Sequence, residues 1–129
     1  MKTKAIHFTA FGNAAIVQVS SQPLSSFPFL PAGPAIRSGG LIVSELTASG
    51  SVGQLTALNK TAGYLLLTDA DVLTGAKQNR VVNRSVLLAP SSKTVIEVSC
   101  VERLRRDYRS SSFSTPGSVA DPDLRSRKA

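Results

Sequence analysis

The chain contains few residues of the types that usually carry metal or thiol chemistry. It holds one cysteine, Cys100, and one histidine, His7, among 129 residues. A single cysteine forms no internal disulfide, and one cysteine with one histidine supplies too few ligands for a zinc site. A Cys–His catalytic pair would require a tertiary contact that the sequence does not indicate. We therefore expect no metal site, and no set of nucleophile, base and acid identifies the chain as an enzyme.

Long apolar runs and tryptophan are also missing. No run approaches the roughly 18 residues of a membrane helix, and the start, "MKTKAIHFTAFGNAA", lacks the continuous apolar core of a signal peptide. These features predict a cytoplasmic protein without a membrane partner. The chain has no Trp, five Phe and two Tyr, so aliphatic side chains must supply most of the packing. The phosphate-binding patterns GxxxxGK[ST] and GxGxxG are absent as well, and no cofactor is indicated.

Positive charge is concentrated in the second part of the chain. The net charge is +7, and residues 75–129 hold eleven basic and five acidic groups, against four and three in residues 1–74. This asymmetry favours an anionic partner, such as a phosphate-bearing metabolite, a nucleic acid or an acidic protein surface. A solvated face with a basic tail explains the same charge without a partner.

Short runs rich in Val, Ile and Leu recur between Gly, Pro, Ser and Asn residues, which is typical of β-strands. A chain of this length suits a single domain. We therefore predict an all-β fold, a single compact barrel-like sandwich of short strands. The predicted strands cover residues 15–20, 41–46, 51–58, 64–67, 80–89 and 93–101.

The segment 20–40 contains four prolines, which cannot donate to a central ladder, so we predict a loop or edge strand there. Phe27, Phe29 and Leu30 are expected to anchor it to the core and to form a candidate pocket wall.

A hairpin is predicted further along, with residues 81–88 pairing with 94–100 across "APSSK". In its second strand, alternation places Ile96, Val98 and Cys100 on the core face.

The end of the chain, after Val101, has few aliphatic residues and many Ser and Arg residues. It carries too little apolar surface to fold alone, so it is predicted to drape over the sheet or to be partly disordered. Tyr108 and Phe113 are its only large anchors. We therefore assign residues 1–113 to the β domain and residues 114–129 to an irregular, basic, partly disordered C-terminal extension.

The stretch "TGAKQNR" places four large hydrogen-bond donors in a row, Lys77 to Arg80. In extended backbone, Gln78 and Arg80 project to one side and Lys77 and Asn79 to the other, so one ligand would meet only half of the run. Gly75 provides the freedom to bend the segment. Just upstream, Asp69 and Asp71 form a carboxylate pair that turn formation explains best.

Residues 73–102, "LTGAKQNRVVNRSVLLAPSSKTVIEVSCVE", resemble the hallmark region of the ARG and Rhodanese-Phosphatase-superfamily-associated Protein domain family. The resemblance implies a mostly β domain connected with NAD-derived or ADP-ribose metabolism, without an established reaction. It marks the following residues as the candidate ligand-binding set: Gly75, Lys77, Gln78, Asn79, Arg80, Asn83, Cys100 and Glu102.

We therefore predict binding of a phosphate-containing, nucleotide-type ligand, with ADP-ribose or an NAD relative first. Lys77 and Arg80 would meet anionic oxygens, and Glu102 would orient an arginine or accept from a ribose.

Three alternatives remain open. In the first, the same polar run makes the subunit contacts of a homo-oligomer, and the protein binds no small ligand. The Arg-rich tail would bind nucleic acid nonspecifically, although few aromatics are present to stack on bases. Finally, Arg80 or Arg84 would pair with Glu97 in a purely structural role.

Overall fold

Eleven strands and two short helices make up the part of the chain that the structure describes. The structure is a computed structural model, and it describes residues 3–21, 27–47, 53–76, 78–101 and 110–126. The all-β prediction is confirmed. In chain order the elements are β1 (Thr3–Phe11), β2 (Ala14–Ser21), β3 (Phe29–Pro31), α1 (Ala32–Arg37), β4 (Leu41–Glu45), β5 (Gln54–Asn59), β6 (Tyr64–Leu67), β7 (Val72–Gly75), β8 (Arg80–Val82), β9 (Val86–Leu88), β10 (Ser92–Cys100), β11 (Phe113–Ser114) and α2 (Pro122–Ser126).

A curled antiparallel sheet forms the main body. Its strand order is β11-β7-β8-β10-β5-β4, and its two outer strands, β11 and β4, contact each other. A second sheet, β3-β6-β9, packs against it and supplies Leu65, Leu67 and Leu88 to the core. The sheet is nearly closed, which confirms the predicted barrel-like architecture.

Strand β10 joins the two halves of the main sheet. Residues 92–97 pair with β5, and residues 98–100 pair with β8. Ile96 and Val98 are buried whereas Val95 and Glu97 are exposed, so the predicted alternation is confirmed.

The predicted hairpin is correct at one end and wrong at the other. Arg80–Val82 pairs with β10 as expected, and the Asn83 amide still donates to the Glu97 carbonyl at 3.0 Å. Beyond that point β9 leaves β10 and pairs with β6. This pairing buries Leu88 in the core with Leu65 and Leu67, and the burial of that apolar surface favours β6 as the partner.

The proline-rich segment contains the predicted edge strand, since β3 pairs only with β6. The predicted anchors are wrong, because Phe27, Phe29 and Leu30 are all exposed. Ala32 and Ile36 are buried instead, and they belong to α1, which was not predicted. Pro34 does not prevent this helix because the first-turn amides have no partner within a helix.

The C-terminal segment drapes over the main sheet. Phe113 is buried and β11 pairs with β7, so Phe113 acts as the expected anchor. The Ala120 amide donates to the Ala70 carbonyl at 2.8 Å, and the Ala120 side chain is buried. Tyr108 lies outside the described residues, and the boundary at residue 113 stays a prediction.

The first two strands form a separate antiparallel hairpin, β1–β2, that joins neither of the other sheets. Its two-residue turn is Gly12–Asn13, and Gly12 has a φ of 53°, which suits a tight hairpin turn. Only the β2 half was predicted.

Candidate functional site

The donor run spans the connection between β7 and β8 and the first residue of β8, and its described members, Gln78, Asn79 and Arg80, lie on two sides of the sheet. Gln78 and Arg80 turn inward toward Cys100, while Asn79 faces a surface pocket. This division is the one that strand alternation predicts. Lys77 and Glu102, which complete the predicted ligand set, lie outside the described residues.

The inward side is a buried polar cluster around Arg80. Arg80 and Cys100 are register partners on β8 and β10, so their side chains lie next to each other. The Arg80 Nη1 donates to Gln78 Oε1 at 3.4 Å and contacts Cys100 Sγ. The Cys100 thiol also donates to Gln78 Oε1, at 3.1 Å. The three residues therefore hold the end of the β7–β8 connection against β10.

The counter-ion of Arg80 is Glu45, at the end of β4, which the sequence did not reveal. Arg80 Nη2 lies 3.8 Å from Glu45 Oε1, and the side chains are 4% and 12% exposed. Among the described residues, neither Glu45 carboxylate oxygen has a hydrogen-bond partner, so the ion pair with Arg80 balances its charge. The expected pairing with Glu97 is made by Arg84 instead, at 2.9 Å on the surface.

The outward side is an open polar pocket between the β7–β8 connection and the segment around β11. Its volume is about 490 Å³. Gly75 and Asn79 of the predicted ligand set line it, and three serine residues and a threonine surround them. The lining residues are Thr74, Gly75, Asn79, Ser110, Ser112, Phe113 and Ser114.

Gly75 permits the close approach that forms this pocket. Its φ of 130° lies in a region that favours glycine. A β-carbon there would lie 2.8 Å from Ser110 Oγ and 2.9 Å from the Ser112 carbonyl oxygen. The Gly75 amide donates to Asn79 Oδ1 at 3.2 Å, and the Ala76 amide donates to Ser110 Oγ at 3.1 Å. Gly75 therefore uses its backbone freedom for this close approach, and the described donors still separate onto two sides.

The remaining candidates serve the framework around the pocket. Asn83 Oδ1 accepts from the Ser99 hydroxyl at 2.8 Å, which links the end of β8 to β10. Asp71 Oδ2 accepts from the Thr68 amide at 2.8 Å, which confirms the turn interpretation of that carboxylate.

A second cavity of about 340 Å³ lies beside α1, and sequence reasoning did not find it as such. Its walls are mostly apolar, and Arg37 and Asp71 lie among them. Phe29 belongs to its lining, as the expectation of a pocket wall in residues 20–40 suggested.

Neither a metal-binding cluster nor a membrane-crossing helix is found in the described ranges. No group of three or more His, Cys, Asp and Glu side chains comes together there in a metal-binding arrangement. Within the same ranges, neither helix has the length and apolarity needed to cross a bilayer.

The family model of the ARG and Rhodanese-Phosphatase-superfamily-associated Protein domain matches residues 3–129. The all-β chain with its polar β7–β8 connection therefore belongs to this family. Comparisons with curated proteins and with solved structures find no significant match.

Proposed function

We propose that the pocket between the β7–β8 connection and β11 binds a phosphate-containing, nucleotide-type ligand, with ADP-ribose or an NAD relative as the first choice. The observation that carries the proposal is the meeting of Gly75 and Asn79, both within the family hallmark, with the hydroxyl groups of Ser110, Ser112 and Ser114. Serine hydroxyls can donate to phosphate oxygens and accept from ribose hydroxyls. The Ser110 hydroxyl donates to the Ser112 carbonyl and the Ser114 hydroxyl donates to the Thr74 carbonyl, so a ligand would exchange its own hydrogen bonds for these internal ones. The volume, about 490 Å³, is in the range of small-molecule sites.

Charge supports the same ligand class. Residues 75–129 carry eleven basic and five acidic groups. Lys77 lies in sequence between the pocket residues Gly75 and Asn79. A lysine ammonium that meets a phosphate forms a charge-assisted hydrogen bond, worth about 1.5–3 kcal/mol.

Within this proposal Gln78, Arg80 and Cys100 fix the pocket without contacting the ligand. Their polar atoms bind one another on the inward side of the sheet, and Arg80 is also paired with Glu45. The ligand contacts then come from Asn79, the serines and Lys77.

Isothermal titration calorimetry with ADP-ribose, NAD and AMP tests the proposal. Lys77→Ala should weaken binding roughly tenfold or more, as loss of one charge-assisted hydrogen bond implies. Lys93→Ala removes the same charge from an exposed position on β10 and should leave the affinity unchanged. A folded protein that binds none of the three ligands, or equal losses in the two variants, would contradict the proposal.

Asn79→Asp gives a sharper test of the pocket. An aspartate keeps the oxygen that accepts from the Gly75 amide, so the turn should persist. The added negative charge should repel a phosphate and abolish measurable binding. Asn13→Asp makes the same chemical change in the β1–β2 turn and serves as the control.

The alternative hypothesis assigns the polar run to contacts between copies of the chain. It predicts that Lys77→Ala and Asn79→Asp change the mass of the protein in solution, which light scattering measures. A change in ligand affinity at constant mass would favour the pocket.

A further inference from the structure

A crevice opens where the two parallel strands of the second sheet end. β3 and β6 run side by side, with Pro31 paired to Leu66. The chain then continues from β3 into α1 and from β6 into a turn at residues 68–71. The cavity of about 340 Å³ lies between these two continuations, because residues of both line it. In open α/β sheets, ligands bind in crevices of this kind, outside the carboxyl ends of parallel strands.

The greater part of the crevice wall is apolar. Phe29 of β3, Ile36 of α1 and Leu66 of β6 all line it. Phe29 is 50% exposed, so its ring offers apolar surface that a ligand would remove from water. The volume lies near the lower end of the range for small-molecule sites, roughly 300–1,000 Å³. An occupant should therefore be small and should have an apolar body.

Arg37 supplies a cation to this wall. Its Nη1 lies 3.5 Å from the point where a β-carbon would stand on Gly33, so the guanidinium folds back along α1 over that glycine. The two residues are four positions apart, on one face of the helix, and both line the crevice. Among the described residues, no oxygen is paired with the Arg37 side chain. Its planar fork of donors can therefore receive a carboxylate.

Asp71 supplies a carboxylate whose position is fixed by the turn. Its Oδ2 accepts from the Thr68 amide at 2.8 Å, and its own amide donates to the Thr68 carbonyl at 3.1 Å. In the part of the chain that the structure describes, no donor is hydrogen-bonded to the other oxygen, Oδ1. This second oxygen can therefore accept from an ammonium group in the crevice.

These two opposite charges line one cavity without neutralising each other. No ion pair joins Arg37 to Asp71, so their charged atoms are more than 4.0 Å apart. A ligand with a single charge would be attracted by one of them and repelled by the other. A small molecule that carries both signs satisfies both groups and leaves neither repulsion in place.

We propose that this crevice binds a free α-amino acid with an apolar side chain. Arg37 receives the α-carboxylate, and Asp71 Oδ1 accepts from the α-ammonium group. The apolar side chain of the ligand packs against Phe29, Ile36 and Leu66. The proposal does not rest on the pocket beside β11, because the two cavities have no lining residue in common.

Titration of the full chain with leucine, valine and phenylalanine, followed by amide chemical shifts in nuclear magnetic resonance, tests the proposal. The amides of Gly33, Thr68 and Gly117 should shift, whereas those of Asn79 and Ser112 beside the other pocket should not. The absence of shifts at the crevice with all three amino acids at millimolar concentrations would overturn the proposal.

Two truncated analogues of leucine test the requirement for both charges. 4-Methylpentanoate lacks the ammonium group, and 3-methylbutylamine lacks the carboxylate. Each should bind at least about tenfold more weakly than leucine, because each loses one charge-assisted hydrogen bond and meets an uncompensated like charge. Binding of either analogue as tightly as leucine would overturn the proposal.

Arg37→Gln assigns the carboxylate contact. It should weaken leucine binding at least about tenfold, but it should not weaken binding of 3-methylbutylamine, which has no carboxylate to lose. Arg84→Gln makes the same change at an exposed arginine outside the crevice and should leave leucine binding unchanged. Equal losses for leucine and the amine would indicate a structural role for Arg37 and would overturn the assignment.

Asp71→Asn assigns the ammonium contact. Asparagine keeps an oxygen for the Thr68 amide, so the turn should persist. Leucine binding should weaken at least about tenfold, whereas 4-methylpentanoate binding should not weaken. Asp121→Asn is the matched control, because Asp121 Oδ1 likewise accepts from a nearby amide, that of Asp123, outside the crevice. Equal losses for both ligands would overturn this assignment. Circular dichroism checks the fold of each variant, and the analogues on the unaltered chain decide the proposal where a variant does not fold.

Discussion

Replacing Arg80 with methionine should leave the Glu45 carboxylate without its counter-ion inside the barrel. Across the 3.8 Å between Arg80 Nη2 and Glu45 Oε1, the attraction is about 4 kcal/mol at an effective dielectric constant near 20. Removing one partner of a buried pair costs about 3–5 kcal/mol, because the remaining charge is uncompensated. We therefore expect Arg80→Met, which retains an apolar stem, to lower the free energy of unfolding by about 3–5 kcal/mol.

A second substitution separates the effect of the unneutralised Glu45 charge from the effect of the lost Arg80 packing. Adding Glu45→Gln to Arg80→Met removes the uncompensated charge without changing side-chain size appreciably. The double variant should recover at least half of the lost stability, since replacing a whole buried pair by neutral groups is often close to neutral. The two substitutions should therefore be strongly non-additive.

Arg84→Met is the matched control. Arg84 lies closer to its partner, 2.9 Å from Glu97, but the two side chains are 74% and 49% exposed. Solvent screens this pair, so the expected loss is below about 1 kcal/mol. Urea unfolding followed by far-ultraviolet circular dichroism measures all variants. The reasoning is refuted if Arg80→Met costs no more than Arg84→Met, or if Glu45→Gln adds its own loss in full.

Three further substitutions test the framework, two by the same urea measurement and one by amide exchange. Asn59 is fully buried, and its side-chain amide donates to the Gly63 and Ala89 carbonyls at 2.9 Å each. Asn59→Ala should lower the free energy of unfolding by about 2–4 kcal/mol, because those carbonyls lose their donor. A loss below about 1 kcal/mol would contradict this prediction. Gly75→Ala should weaken the pairing of β7 with β11, seen as faster amide exchange in β11, because its β-carbon would clash with the Ser112 carbonyl oxygen. Phe113→Ala should cost about 3–5 kcal/mol as a buried aromatic truncation; a loss typical of a surface site would show that the C-terminal segment is not anchored there.

Local patterns predicted much of the framework. The alternation in β10 identified its buried face, and β6 occupies the predicted residues 64–67. The N-terminal strand β1 could also have been predicted, because Gly12–Asn13 between two β-rich runs is a recognised two-residue hairpin turn. Helix α1 was not, since it spans only six residues and contains Pro34.

The site was less accessible from sequence, because its parts come from distant segments. Gly75 and Asn79 were predicted, but the serines that complete the pocket arrive with β11, about 35 residues later. Glu45 ends an apolar strand, and nothing near it in sequence indicates that its cation is Arg80.

By itself, the sequence determined the all-β class, the family, and the division of the donor run into two sides, because strand periodicity and local motifs act over a few residues. Only the tertiary structure decided which strand receives β9, which carboxylate neutralises Arg80, and which hydroxyls meet Asn79. Each of these outcomes is a competition between segments far apart in the chain. The favoured pairings are those that bury the most apolar surface and leave the fewest buried polar groups unpaired. Both quantities depend on contacts across the whole folded chain, so a local stretch of sequence does not determine them.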